Sequence, residues 1–231
     1  MRSHADSAVL GQKLCTLLGE PNNNVAAAAA HCFDIVMSDC QETLNRACHA
    51  TVSVVYKQKF FAQNLQFLLG GKSDEIRSPV LMAVSCMLRY VPESVLTANL
   101  PQLLPLMLKS LMSPIPELRL SSLETTTKLA KDNVGALKGH TSTLIPLLLD
   151  LCAFRPALKV RVWALQCLQH LTGPSCGLSK HAALPFVDIF PFKQDVITRL
   201  ALVLDDHKRI VRREAARCRN EWIVLTDSQS A

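Results

Sequence analysis

Residues 204–225 read LDDHKRIVRREAARCRNEWIVL, and six of them are Lys or Arg. Two readings compete for this stretch: a nucleic-acid-binding helix, or the last unit of a repeat whose architecture places arginine there. The step Val211-Arg212 decides between them, because it recurs upstream as Ile76-Arg77, Leu118-Arg119 and Val160-Arg161, at separations of 42, 42 and 51 residues. Aligned on that step, the segments are EIRSPVLMAVSCMLRYV, ELRLSSLETTTKLAKDN, KVRVWALQCLQHLTG and IVRREAARCRNEWIVL. The positions one before, three after and ten after the arginine share one angular sector at helical spacing, so each segment is an amphipathic helix.

A leucine-rich helix precedes each of these: VSVVYKQKFFAQNLQFLL, LTANLPQLLPLMLKSLM, GHTSTLIPLLLDLC and FKQDVITRLALVL, with AVLGQKLCTLL paired to VAAAAAHCFDIVM at the start. Pro101, Pro105 and Pro146 are expected in first turns or at kinks. Turn-type clusters such as EPNNN, GGKSD, SPIP, FRPA and LDDHK separate the helices. The chain therefore reads as all-α, a right-handed solenoid of about five armadillo/HEAT-like helical hairpins, with units at about 7–45, 50–91, 93–132, 134–172 and 182–225. The recurring arginine is expected to bond across to a neighbouring unit. Asp74, Asp150 and Asp205 or Asp206 are placed to receive it, and the third unit offers Glu117. The first unit lacks the arginine.

Composition agrees. Hydrophobic residues make up 49% of the 231 and aromatics 5%, the balance of a helix-rich protein with aliphatic layers. The start MRSHADSAVL has no apolar core, so no secretory leader is expected, and nine cysteines read as free thiols in a reducing compartment. The longest apolar runs fall short of a bilayer span.

On a helical wheel Val211, Ala215, Cys218 and Trp222 share the buried side of the closing helix, and Arg212 is explained by the repeat. Glu214 with Arg217, and Arg217 with Glu221, are spaced for surface ion pairs. From Asp205 to Glu221 six cations face four anions. A phosphate-binding strip needs uncompensated cations, and its stacking aromatics are missing here, since Trp222 lies on the buried side. The charged face formed by Lys208, Arg209, Arg213 and Arg217 reads instead as a protein-docking surface, with direct nucleic-acid binding as the alternative. The stretch TGPSCGLSKHAALPFVDIFPF lengthens the last unit. There Phe186, Ile189, Phe190 and Phe192 are either docking anchors, Phe186 and Phe190 foremost, or packing beneath the final hairpin.

Cys32, Cys40 and Cys48, with His31 and His49 adjacent, stand eight residues apart. Eight residues advance a helix by about 12 Å, so one straight helix cannot close a metal site from them. No CxxC occurs. His140, His170 and His181 border helix ends. Hydrolase, metalloprotease and phosphate-loop motifs are missing, Gly70-Gly71 reads as a helix C-cap, and Asp205-Asp206 reads as helix capping. Neither catalysis nor a resident metal or cofactor is expected.

LALVLDDHKRIVRREAARCRNEW, with FDIVMSDC and YKQKFFAQNL upstream, resembles a family of HEAT-repeat adaptors, the methyl-methanesulfonate-sensitivity nucleotide-excision-repair protein homologues of cytosolic iron–sulfur protein assembly. The likeness covers most of residues 25–225. Members are far longer, so the chain reads as the C-terminal part of such a solenoid, with an apolar flank uncovered at its first repeat. The resemblance implies a non-enzymatic scaffold that joins a WD-repeat propeller protein and a small reactive-cysteine protein. It also implies delivery of clusters to apo-proteins of DNA replication, repair and transcription, a role in chromosome segregation through those clients, and a cytoplasmic and nuclear location. Neither direct nucleic-acid contact nor a membrane partner is implied.

Overall fold

The structure, a computed structural model, describes residues 4–39, 52–69, 77–173 and 184–225. Among these it is all-α, with no strand. The helices follow in consecutive pairs: α1 (His4–Leu18) and α2 (Asn23–Met37); α3 (Val54–Leu69) and α4 (Ser78–Leu88); α5 (Glu93–Met112) and α6 (Pro116–Asp132); α7 (Thr141–Cys152) and α8 (Leu158–Leu171). The short α9 (Phe186–Ile189) leads into α10 (Lys193–Val203) and α11 (Arg209–Ile223). The chain forms two compact units, Met1–Ser110 and Leu111–Ala231.

Local chemistry sets the boundaries. The Asn22 side chain accepts from the Asn24 N–H at 3.0 Å and so caps α2. Pro79 and Pro116 occupy the first turns of α4 and α6, where the missing N–H has no partner to lose. Pro101, Pro105 and Pro146 lie inside α5 and α7 rather than in first turns. α5 starts at Glu93, earlier than its prolines suggest, and each ring removes one interior backbone bond.

In the first unit α1 packs on α2 and α3, and α2 packs on α4; in the second, α6 packs on α8 and α8 on α11, while α7 packs on α8 and α10. Within each unit these contacts set first helices on first helices and second on second. Small side chains make the second-helix layer close: Ala26, Ala29 and Ala30 on α2, and Ser121, Ser122, Thr125 and Thr126 on α6, are all buried. The α6 hydroxyls of Thr125 and Thr126 return to the carbonyls of Ser121 and Ser122, at 3.2 and 2.7 Å, so their burial leaves no polar debt. On α1, Val9, Leu10 and Leu17 are exposed.

The recurring arginine joins turns and helices mainly through carbonyls, and of the acids expected for it Asp206 meets one, Arg161, across hairpins. Arg119 donates to the carbonyls of Ser113 and Met112, Arg161 to those of Phe154 and Arg155, and Arg212 to that of Asp206. Each guanidinium therefore satisfies carbonyls at the end of the first helix or in the turn that follows it within its own hairpin. Arg77 differs by reaching back to the carbonyls of Leu18, which ends α1, and of Glu20 just beyond it, at 3.2 and 3.1 Å. Two arginines also span hairpins. Arg119 lies 4.2 Å from the centre of the Phe154 ring, a cation–π contact, and Arg161 Nε lies 3.1 Å from Asp206 Oδ2. The Arg161 N–H is not aimed along that line, so this contact is an ion pair rather than a hydrogen bond. Asp150 does not serve Arg161; it pairs with Arg199 on α10 at 2.5 Å. Arg119 takes carbonyls and a ring in place of Glu117. Asp74 and the Gly70-Gly71 cap fall outside the described residues.

α1 and α3 approach closely at Gly11. A Cβ on Gly11 would run into the Asn64 amide. Asn64 is buried and cannot swing away, because its Nδ2 donates to the Phe60 carbonyl at 2.7 Å and its Oδ1 accepts from the Cys15 thiol at 3.6 Å. Helix propensity favours alanine over glycine by up to about 1 kcal/mol, while overpacking costs about 1–3 kcal/mol. Gly11→Ala is therefore expected to lower stability by about 1–2 kcal/mol in urea unfolding. Adding Asn64→Ala should remove the Gly11→Ala penalty, a non-additivity that two independent sites would not show.

Candidate docking surface

The closing hairpin presents the cations that the sequence singles out, and its buried side explains how they are held. Val211, Ala215, Cys218 and Trp222 are fully buried. The Trp222 indole N–H donates to the Leu168 carbonyl at 3.1 Å, satisfying a polar group on the adjoining α8. α11 thus has one face locked against α8 and α10, and its orientation is set by packing rather than by charge.

On the opposite side Lys208, Arg209, Arg213 and Arg217 are exposed, the three arginines one helical turn apart along a single line. They are not equivalent. Glu214, placed by the sequence in a surface pair, is only 5% exposed. Its Oε1 takes Arg213 Nη2 at 2.9 Å and Arg213 Nε at 3.0 Å, with Arg217 Nη1 at 3.8 Å. One sunken carboxylate tethers both guanidinium groups, and Arg217 turns to it rather than to Glu221. Arg212 and Arg219 are committed to carbonyls, those of Asp206 at 2.7 Å and Ile197 at 3.3 Å. Lys208 and Arg209 remain as cations with no anionic partner among the described residues. The signal for Glu214 was present on the wheel, since it stands three residues after Val211, at the edge of the buried stripe.

The aromatic segment divides. Ile189 is fully buried and belongs to the core, so it is no anchor. Phe186 and Phe190 lie with ring centres 4.6 Å apart and tilted by 32°, Phe186 half-buried and Phe190 50% exposed, with Val187 beside them at 78%. Phe192 is half-buried. Phe190 and Val187 are thus the apolar groups this turn offers to solvent.

Four of the described thiols face inward, while Cys15 and Cys32 are half-buried. Cys86, Cys152, Cys167 and Cys218 are buried. Burial pushes the Cys167 thiol up to about 12 and raises those of Cys152 and Cys218 well above the usual thiol range. Thiols held protonated are poor nucleophiles and poor metal ligands. Among the described residues no three His, Cys, Asp or Glu side chains are grouped to hold a metal, and no helix is long and apolar enough to cross a membrane. Cys32 and His31 sit on α2, whereas Cys40, Cys48, His49, Cys176 and His181 fall outside the described residues.

The model of the RNAPII transcription regulator C-terminal family matches residues 1–172. The MMS19 nucleotide excision repair protein homolog of Bos taurus is 36% identical over 228 residues, 97% of this chain and 21% of that protein. A DNA repair/transcription protein of Saccharomyces cerevisiae is 27% identical over 234 residues, again 97% of this chain and 22% of that protein. The chain therefore spans about a fifth of the length of the curated relatives it matches. Among solved structures, a computationally designed armadillo repeat protein for modular peptide recognition superposes with a TM-score of 0.59 at 16% identity, covering 90% of this chain and 80% of that one. That likeness gives the fold class as an all-α repeat solenoid of the armadillo/HEAT kind.

Proposed function

The chain belongs to the RNAPII transcription regulator C-terminal family, and from that membership we propose that it is a non-enzymatic scaffold of cytosolic iron–sulfur protein assembly. In this reading it docks the WD-repeat propeller protein and the small reactive-cysteine protein of a targeting complex. It also helps deliver clusters, as cargo, to apo-proteins of DNA replication, repair and transcription in the cytoplasm and nucleus. Repair, transcription and chromosome-segregation effects follow through those clients. The observation that carries the reading is the cationic face of α11: Lys208 and Arg209 without an anionic partner among the described residues, Arg213 and Arg217 tethered by Glu214, on a helix fixed from behind by Trp222. A preset charged face of this kind speeds encounter and selects an acidic partner surface. Phe186 and Phe190, on the turn that leads into α10, supply a separate aromatic contact, the residue type that concentrates binding energy.

The tether decides how to test it. Reversing Arg213 would leave Glu214 beside a like charge, so loss of binding there would be confounded with loss of fold. Lys208→Glu with Arg209→Glu avoids this, and acids at a helix N-terminus favour the macrodipole. The double variant is expected to keep its melting temperature and to lose partner capture by at least about tenfold at low salt. Unchanged capture of both assembly partners would defeat the docking assignment. Duplex DNA binding that weakens steeply with salt, and is lost in the same variant, would favour direct nucleic-acid recognition instead.

A further inference from the structure

A cleft of about 450 Å³ opens between the α7–α8 turn and the α10–α11 turn, both within the second unit. That size falls within the roughly 300–1,000 Å³ of ligand sites. Its apolar lining comes from Leu149 on α7 and from Leu202 and Val203 on α10. Leu202 is 76% exposed, so it adds little to the core and offers its side chain at the cleft mouth. Charge lies on both turns that line the cleft, Arg155 on one and Asp205 on the other.

The other charged groups of the cleft are already engaged. Arg199 holds Asp150 at 2.5 Å. Asp206 faces Arg161 at 3.1 Å and accepts the Lys208 backbone N–H at 2.8 Å. The exposed side chains of Arg155 and Asp205 have no ion-pair or hydrogen-bond partner among the described residues. One free cation and one free anion, as far as the described residues go, thus line the same cleft beside an apolar floor. A ligand of single sign meets repulsion from one wall, and a phosphate backbone would be repelled by Asp205. A purely apolar ligand satisfies neither wall. A polypeptide segment can satisfy both walls and the floor together.

We propose that this cleft binds an extended segment of a partner polypeptide. An aliphatic side chain seats on Leu149, Leu202 and Val203, with an acidic residue toward Arg155 and a basic residue toward Asp205. The proposal deepens the scaffold reading, on which it rests for the ligand being a protein, and shares no lining residue with the Lys208–Arg209 corner.

The test is selection of a phage-displayed random decapeptide library on the full chain, with Leu202→Glu as the counter-screen. Both positions changed are exposed, so neither Leu202→Glu nor Arg155→Glu should disturb the fold. The expected consensus is an aliphatic residue flanked by an acid and a base. The best synthetic peptide should bind each single variant at least about tenfold more weakly. The charge-swapped Arg155→Glu/Asp205→Arg chain should regain binding to a peptide in which acid and base are exchanged. Failure to enrich over the counter-screen, a consensus of one charge sign, or binding indifferent to Leu202→Glu would each overturn it. Lys208→Glu/Arg209→Glu should leave peptide binding intact, so failure here and failure of partner capture are separable.

Discussion

Trp222→Ala is expected to cost about 4 kcal/mol in equilibrium urea unfolding, the largest effect of any single truncation in the closing hairpin. The indole is fully buried, and its N–H satisfies the Leu168 carbonyl on α8. Alanine would leave both a cavity and an unpaired carbonyl. α11 is held by one stripe of Val211, Ala215, Cys218 and Trp222, and the other three side chains are small. Loss of the indole should therefore loosen this helix first, and native-state hydrogen exchange should show α11 amides opening ahead of those in α7 and α8. A cost below about 1 kcal/mol would mean that the stripe does not dock the helix. Because the cationic face depends on that docking, the variant should also weaken partner capture without any change in surface charge.

Arg161→Met should cost about 3 kcal/mol. Arg161 is 1% exposed and serves two tasks, donating to the Phe154 and Arg155 carbonyls and facing Asp206 in the next hairpin. Methionine fills part of the space but leaves the carbonyls without a donor and Asp206 without its counter-charge. Arg161→Lys should fare little better, because a single ammonium cannot reproduce the fork that meets carbonyls and carboxylate together. Asp206→Asn in the same background separates the contributions. If the ion pair matters, the double variant loses less than the sum of the singles. Simple additivity would leave carbonyl capping as the only role of Arg161.

The contrast among the four repeat arginines shows where reading a linear pattern works. Their shared position one residue after an apolar step places them at the start of second helices, and Arg119, Arg161 and Arg212 all cap carbonyls six or seven residues back. That link is short-range, so periodicity carries it. Which acid each arginine meets is a different matter. Asp150 stands 11 residues before Arg161 in the same hairpin yet pairs with Arg199, while Arg161 meets Asp206. Those pairings cross from one hairpin to the next, and a turn of packing phase exchanges one candidate acid for another.

From the sequence alone came the helical period, the order of paired helices, the buried stripe of α11 and the exposure of Lys208, Arg209, Arg213 and Arg217, all properties of spacing along one helix. Tertiary packing alone decided that Arg77 reaches back to the carbonyls at the end of α1, that Ile189 joins the core, and that Arg155 and Asp205 line one cleft from separate turns. Each of these depends on how far apart neighbouring helices stand and how they are rotated. Many side chains settle that balance together, and no local pattern encodes it.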